Sequence, residues 1–224
     1  MKIAIIGATG YTGSRIVAEA LDRGHQVTAI VRNTDRLPAH PNLTAAKGDA
    51  TEPAELASLI GGHDNVISAF NPGKDETGRG AGSIIQAVQR AGGKRLVVVG
   101  GAGSLEIEPG QRFVDQPDFP AQWKEGALRT AAFLDALRAE PELDWTFVSP
   151  AATLFPGERT GRYRVGADAL LTNASGESRI STADFAAAML DEVEQPRHRR
   201  KRFGVAYQAA TKAAHIAAQL YCDD

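Results

Sequence analysis

The sequence predicts an α/β fold, a doubly wound parallel sheet with a small C-terminal lobe. Three observations predict it. Short unbroken apolar runs, of which Ile3-Ala4-Ile5-Ile6 is the first, have the character of strands buried on both faces. Segments with helical apolar spacing alternate with these runs along almost the whole chain, the order of βαβ crossovers. The first strand runs into Gly7-Ala8-Thr9-Gly10-Tyr11-Thr12-Gly13, a glycine corner set between strand and helix.

Taken in order, the first helix carries Ile16, Val17, Ala20 and Leu21 on one face and stops at Gly24. Val27 to Val31 is a second strand ending in Arg32, and Asn33 to Pro38 reads as a short helical turn closed by proline. Leu43 to Lys47 is a third strand, followed by Gly48-Asp49-Ala50. A helix spans Glu52 to Ile60 with Pro53 in its first turn and Gly61-Gly62 beyond its end. Asn65 to Ala69 is a fourth strand, stopped by Asn71-Pro72-Gly73, and a helix from Gly80 to Ala91 follows. Arg95 to Val99 is the fifth strand, with Gly100 to Ser104 as its exit loop. Leu105 to Pro120 reads as irregular.

Ala121 to Glu140 is the longest helix, with Trp123, Ala127, Leu128, Ala131, Leu134 and Leu137 on its apolar face. Trp145 to Val148 is the sixth strand, and Ala151 to Ile180 has no strong period. A helix from Asp184 to Val193 is capped by Ser181 or Thr182. The basic run Arg197 to Arg202 reads as a solvated loop before a seventh strand, Phe203 to Ala206, and a last helix spans Thr211 to Tyr221. The expectation is a single domain over residues 1–224, with 151–180 forming the small lobe.

Composition narrows the function classes. A net charge of −2 disfavours binding that relies on neutralising nucleic-acid phosphates. The lone cysteine, Cys222, makes no internal disulfide, which points to a reducing, cytoplasmic setting. The five histidines are scattered without metal-ligand spacing, so no metal site is expected. No apolar run approaches the length of a membrane span.

The glycine corner has a chemical reading. A pyrophosphate held at a helix N-terminus needs backbone N–H groups at close range, and a Cβ there would hold it away. Gly7, Thr9, Gly10, Tyr11, Thr12 and Gly13 are therefore the expected diphosphate loop of a dinucleotide. An acid usually follows the second strand where the ribose 2′-hydroxyl is recognised. Arg32 stands there instead, with Arg36 beyond it, so NADP(H) is expected in preference to NAD(H). Ligands of such sheets lie beyond the carboxyl ends of the strands. That adds Asp49 and Ala50 at the adenine, and Ala69, Phe70, Gly100, Gly101, Pro150 and Ala151 along the rest of the cofactor.

With the loop Gly7 to Gly13, then Val31-Arg32 and Gly48-Asp49-Ala50, the chain resembles the atypical short-chain dehydrogenase/reductases. That group includes the NmrA-like proteins and the biliverdin reductase B/flavin reductase branch. The segments Asp144 to Ala152 and Pro156 to Arg164 are similar to bacterial proteins described as NADH-flavin reductases or NAD(P)H-binding proteins. The resemblance implies a Rossmann fold and NAD(P) binding. The chain departs from typical short-chain dehydrogenases in one respect: none of its tyrosines, at 11, 163, 207 and 221, has lysine four residues later.

Ser104 and Lys124 are candidate catalytic residues, Ser104 to bond a substrate carbonyl and Lys124 to hold ribose or donate a proton; each has a plain surface role as its alternative. Trp123, Phe155 and Phe113 are candidate stacking surfaces for a substrate. The expectation is an NADPH-dependent reductase passing hydride to a small planar acceptor, such as a flavin, quinone or tetrapyrrole. The alternative is a non-catalytic NADP(H)-binding redox sensor. Nucleic-acid and membrane partners are not expected, and the protein is expected to be a monomer or homodimer. The charged segment Glu158 to Arg164 is either a substrate-facing hairpin or a surface hairpin held by a salt bridge.

Overall fold

The computed structural model describes residues 1–208; the predicted last helix and Cys222 lie outside the described residues. Strand β1 (Lys2–Ile6), helix α1 (Gly13–Asp22) and strand β2 (Gln26–Val31) form the first crossover. They are followed by β3 (Leu43–Lys47), α2 (Pro53–Ile60), β4 (Asn65–Ser68), α3 (Gly80–Arg90) and β5 (Arg95–Val99). Then come a hairpin of β6 (Glu106–Glu108) and β7 (Gln111–Arg112), α4 (Ala121–Arg138), β8 (Trp145–Ser149), β9 (Thr153–Phe155) and β10 (Arg164–Gly166). The described chain closes with β11 (Arg179–Ser181), α5 (Thr182–Glu194) and β12 (Lys201–Ala206).

The eight-stranded sheet has the order β10-β12-β8-β5-β4-β1-β2-β3. Seven strands are parallel and β10 is the antiparallel edge. Leaving β1, the chain builds β2 and β3 on one side and β4, β5 and β8 on the other. The order reverses between β1 and β4, where ligands of doubly wound sheets bind. Alternate residues of each strand feed opposite cores. Ile3, Ile5, Val97 and Val148 pack under α1 and α5, whereas Ala4, Ile6, Val98 and Phe147 pack under α2, α3 and α4. The two cores explain why the strands read as unbroken apolar runs.

Several expectations are corrected. Asn33 to Pro38 is a turn without helix: the Asn33 side chain accepts from Asp35 N and Leu37 N donates to Thr34 O. Leu105 to Pro120 contains the β6–β7 hairpin, and 151–180 contains β9, β10 and the first residues of β11. On α4, Trp123 and Leu128 are exposed and Phe133 is buried instead. The cause is a seam of small residues. A Cβ on Gly73 would lie 2.9 Å from the Gly126 Cα, and one on Gly103 would lie 2.9 Å from the Ala127 Cβ. The first half of α4 thus presses its backbone onto the loops after β4 and β5, and Trp123 is turned outward. Ser181, not Thr182, caps α5, its hydroxyl accepting from Asp184 N at 3.0 Å.

Arg202 is not solvated. It is buried, pairs with Asp168 and donates to Ser104 O at 2.7 Å. At the opposite end of the sheet, Arg95 joins Asp144 at 2.8 Å and Glu192 at 2.6 Å, tying the starts of β5 and β8 to the end of α5.

Candidate functional site

Glycine decides the geometry at the carboxyl end of β1. Gly7 has φ +76, and a Cβ there would sit 2.8 Å from Ala69 O, so the turn closes tightly onto the end of β4. A Cβ on Gly13 would lie 2.1 Å from Gly7 O, which lets α1 start directly against the turn. Gly10 is exposed, and a Cβ there would meet only Gly7 O, at 3.3 Å. The side-chain volume missing at Gly10 is room for a ligand atom beside the backbone. Helix α1 has no acidic residue in its first turn, and the side chain of its cap, Thr12, makes no capping bond. A helix start of this kind suits an anion, so the corner fits a diphosphate.

From this corner a cavity of about 540 Å³ extends over the ends of β1, β2, β3 and β4. It brings together Gly7, Thr9, Gly10, Arg32, Asp49, Ala50, Ala69 and Phe70, as the sequence predicts, and adds Asn71, Lys74 and Asp75. The Arg32 guanidinium, at the end of β2, makes no hydrogen bond or ion pair among the described residues. Asp49 accepts from Thr51 N at 2.9 Å and Thr51 Oγ1 at 2.8 Å. These bonds, helped by the charge of Arg32, hold its carboxyl below the usual range. Arg36 is not in this cavity. It lines a separate hollow of about 380 Å³ with Ser14, Val17 and Leu37, on the outer side of the loop; Thr9 borders both.

Sequence reasoning missed Asp75. It is buried beneath the cavity and accepts from Thr77 Oγ1 at 2.6 Å and Gly80 N at 2.8 Å. Burial pushes its carboxyl up, but these donors outweigh burial and hold it below the usual range. The signal was present as Asn71-Pro72-Gly73 followed by Asp75 two residues before Thr77, a spacing suited to side chain–backbone turns. Asn71 indeed accepts from Gly73 N at 2.9 Å. Phe70 lines the cavity, yet its ring lies against the start of α3, where a Cβ on Gly80 would be 2.2 Å away.

In the sheet, β5 and β8 follow β4, and Gly100, Gly101, Pro150 and Ala151 at their ends do not line this cavity. Val99 pairs with Val148, and Gly100 N donates to Val148 O at 2.8 Å, so Gly100 and Gly101 stand beside Pro150 and Ala151. Gly100 is glycine because a Cβ would meet the Phe147 ring at 2.2 Å.

The other candidates are spread. Ser104 accepts from Arg202 through its hydroxyl at 3.2 Å as well as its carbonyl. Lys124 is exposed near the start of α4, and its charge helps keep the Asp115 carboxyl low, after the larger effect of the Arg112 hydrogen bond. Trp123 is 62% exposed. Phe113 meets Phe119 edge-on with centroids 5.0 Å apart. Phe155 meets Tyr207 edge-on at 6.3 Å.

Tyr11 reaches across from the glycine loop, its hydroxyl donating to Leu154 O at 3.3 Å. The hydroxyls of Tyr163 and Tyr207 donate to Asp191 and Asp184. Burial, then these acceptors, raise the pKa of both tyrosines above the usual phenol value. The segment Glu158 to Arg164 is held by ion pairing: Arg159 grips Glu19 on α1.

Known proteins match this arrangement. Over 215 residues the chain is 41% identical to the uncharacterized protein YwnB of Bacillus subtilis, covering 93% of this chain and 100% of that one. A candidate epimerase from Bacteroides thetaiotaomicron superposes with a TM-score of 0.90 at 44% identity, covering 94% of this chain and 98% of the other. A candidate NADH-flavin reductase from Streptococcus pneumoniae superposes with a TM-score of 0.81 at 39% identity, over 93% and 100% of the two chains. The profile of the NAD(P)H-binding family matches residues 7–196, from the first glycine of the corner to beyond α5. With its glycine corner, its reversal of strand order beside β1 and a match over most of its length, this chain belongs to the NAD(P)H-binding family of Rossmann proteins.

Proposed function

We propose that this protein is an NADPH-dependent reductase of a small planar acceptor, working without a Ser-Tyr-Lys triad. The observation that carries the reading is the cavity at the glycine corner. It brings the exposed backbone at Gly10 together with Arg32 at the end of β2, and Arg32 makes no hydrogen bond or ion pair among the described residues. Arg32 can pair with a 2′-phosphate and the glycine corner can hold the diphosphate; Pro150 and Ala151 are the small residues we assign to the nicotinamide end. When bound, the reduced nicotinamide supplies a hydride. A flavin or quinone acceptor takes its proton from solvent, so the chain's residues need only stack and orient the two rings. The likeness to a candidate NADH-flavin reductase supports this acceptor class. The single cysteine supports a reducing, cytoplasmic setting; we place the protein there as a monomer or homodimer.

Titration with NADPH and NADH, followed by NADPH oxidation with flavin, quinone and biliverdin, tests the proposal. Tighter binding of NADPH and turnover with at least one acceptor are expected; failure to bind either nucleotide would overturn it. A second reading, a non-catalytic NADP(H) sensor, is favoured by the described tyrosines. Each donates to a protein oxygen, and Ser104 is held by Arg202. Tight binding of both NADP⁺ and NADPH with no turnover would select it.

A further inference from the structure

Just past Pro150-Ala151, a hollow of about 370 Å³ opens between the small lobe and the β6–β7 region. Phe113 and Leu170 give it apolar walls, Ala152 borders it on the side of β8, and Arg179 stands at its edge. Its frame is firm. Ala152 N donates to Ser178 Oγ at 3.0 Å and Thr153 N donates to Ser178 O at 2.9 Å, fixing β9 against β11.

The Arg179 guanidinium lies over the Phe155 ring, 4.8 Å from its centroid. It is partly buried and makes no ion pair among the described residues. Glu177 is the carboxylate bordering the hollow, and it accepts from Asn173 Nδ2 at 3.2 Å instead of pairing with Arg179. An arginine stacked on a ring keeps its planar fork in one orientation, which suits two-point pairing with an acidic group.

We propose that this hollow receives the acceptor and that Arg179 selects acceptors with an acidic tail, phosphate or carboxylate. The proposal rests on the reductase reading for the identity of the acceptor. The conjugated ring lies along Phe113 toward Pro150-Ala151, and the tail pairs with Arg179.

Flavins provide a matched test, since FMN and riboflavin share a ring and differ by a phosphate. Flavin fluorescence quenching, with and without NADP⁺, reads the hollow whether or not turnover occurs. FMN is expected to bind at least about tenfold more tightly than riboflavin, the scale of one charge-assisted pairing. Arg179→Gln should bring the ratio near one, Arg179→Lys should restore part of it, and Phe113→Ala should weaken both flavins alike. A carboxylated naphthoquinone and its methyl ester, followed by tryptophan fluorescence, separate a carboxylate tail from a phosphate one. Discrimination within either pair, erased by Arg179→Gln, supports the proposal. No discrimination within either pair, or an Arg179→Gln effect equal on charged and uncharged ligands, overturns it. Loss of nucleotide binding with the FMN preference intact would sink the reductase reading alone.

Discussion

Arg159 donates to both carboxylate oxygens of Glu19, at 2.8 and 2.9 Å, across 140 residues of chain. Glu19 is nearly buried on α1 and also takes Arg23 at 2.7 Å. Burial raises its pKa, but the hydrogen bonds from Arg159 and then Arg23 more than offset this, leaving it below the usual value. Because the folded pKa is the lower one, the stabilisation is complete above the unfolded value of about 4.3 and is lost as pH falls through the folded value. Glu19→Gln should remove that acid dependence and cost about 2 kcal/mol at neutral pH, since two arginines lose a charged partner. Arg159→Met, at an exposed arginine, should cost no more than about 1 kcal/mol. Urea unfolding between pH 3 and 7 measures both.

Arg32→Glu should weaken NADPH about 10- to 100-fold while changing NADH less than about threefold, the loss of one or two charge-assisted hydrogen bonds. Calorimetric titration of each nucleotide checks this. An equal loss for both would remove the 2′-phosphate from the account of Arg32.

Two glycines, one opening α1 and one just after it, separate backbone freedom from space. Gly24, just after α1, has φ +77 with nothing within 4 Å of an added Cβ, so Gly24→Ala should cost only about 1 kcal/mol. At Gly13 the added carbon would meet a backbone carbonyl at 2.1 Å. Gly13→Ala should cost about 3 kcal/mol and weaken nucleotide binding, since relief requires α1 to move off the turn. Thermal unfolding with and without NADPH distinguishes the two effects.

Asp184 is fully buried and accepts from Thr160 N, Thr160 Oγ1, Gly161 N and the Tyr207 hydroxyl. Asp184→Asn turns one acceptor into a donor and should cost about 3 kcal/mol; Tyr207→Phe removes one bond and should cost about 1 kcal/mol. Limited trypsin digestion supplies a local readout: cleavage at Arg159 and Arg162 should accelerate strongly in Asp184→Asn and little in Tyr207→Phe.

Most of the architecture is legible in the sequence, because a strand covered on both sides must be apolar throughout. Arg95–Val99 appears in the structure with the limits its residues suggest, and so does Leu43–Lys47, although it lies exposed at the sheet edge. The glycine corner is legible for a related reason, since turn and close approach admit few other residues. Trp123 misleads, because apolar periodicity cannot reveal that Gly126 and Ala127 take the packed side of α4. The partners of Ser104, Arg159 and Arg179 are hidden more deeply. Each lies in a separate part of the chain or in the short strands of the lobe, and no local spacing encodes such a meeting. Arg36 shows the same limit: four positions from Arg32, it faces another hollow once the expected helical turn is absent.

The ionic knot of Arg95, Asp144 and Glu192 sits at the rim where β5 and β8 begin. With strands of five residues rising about 3.3 Å each, that rim lies roughly 16 Å from the loops at the other end. This anchor thus lies at the border of the sheet opposite to the glycine corner. Changes in the loops beyond the carboxyl ends of the strands leave this foundation untouched, provided that the contacts of Arg159, Thr160 and Asp168 are kept.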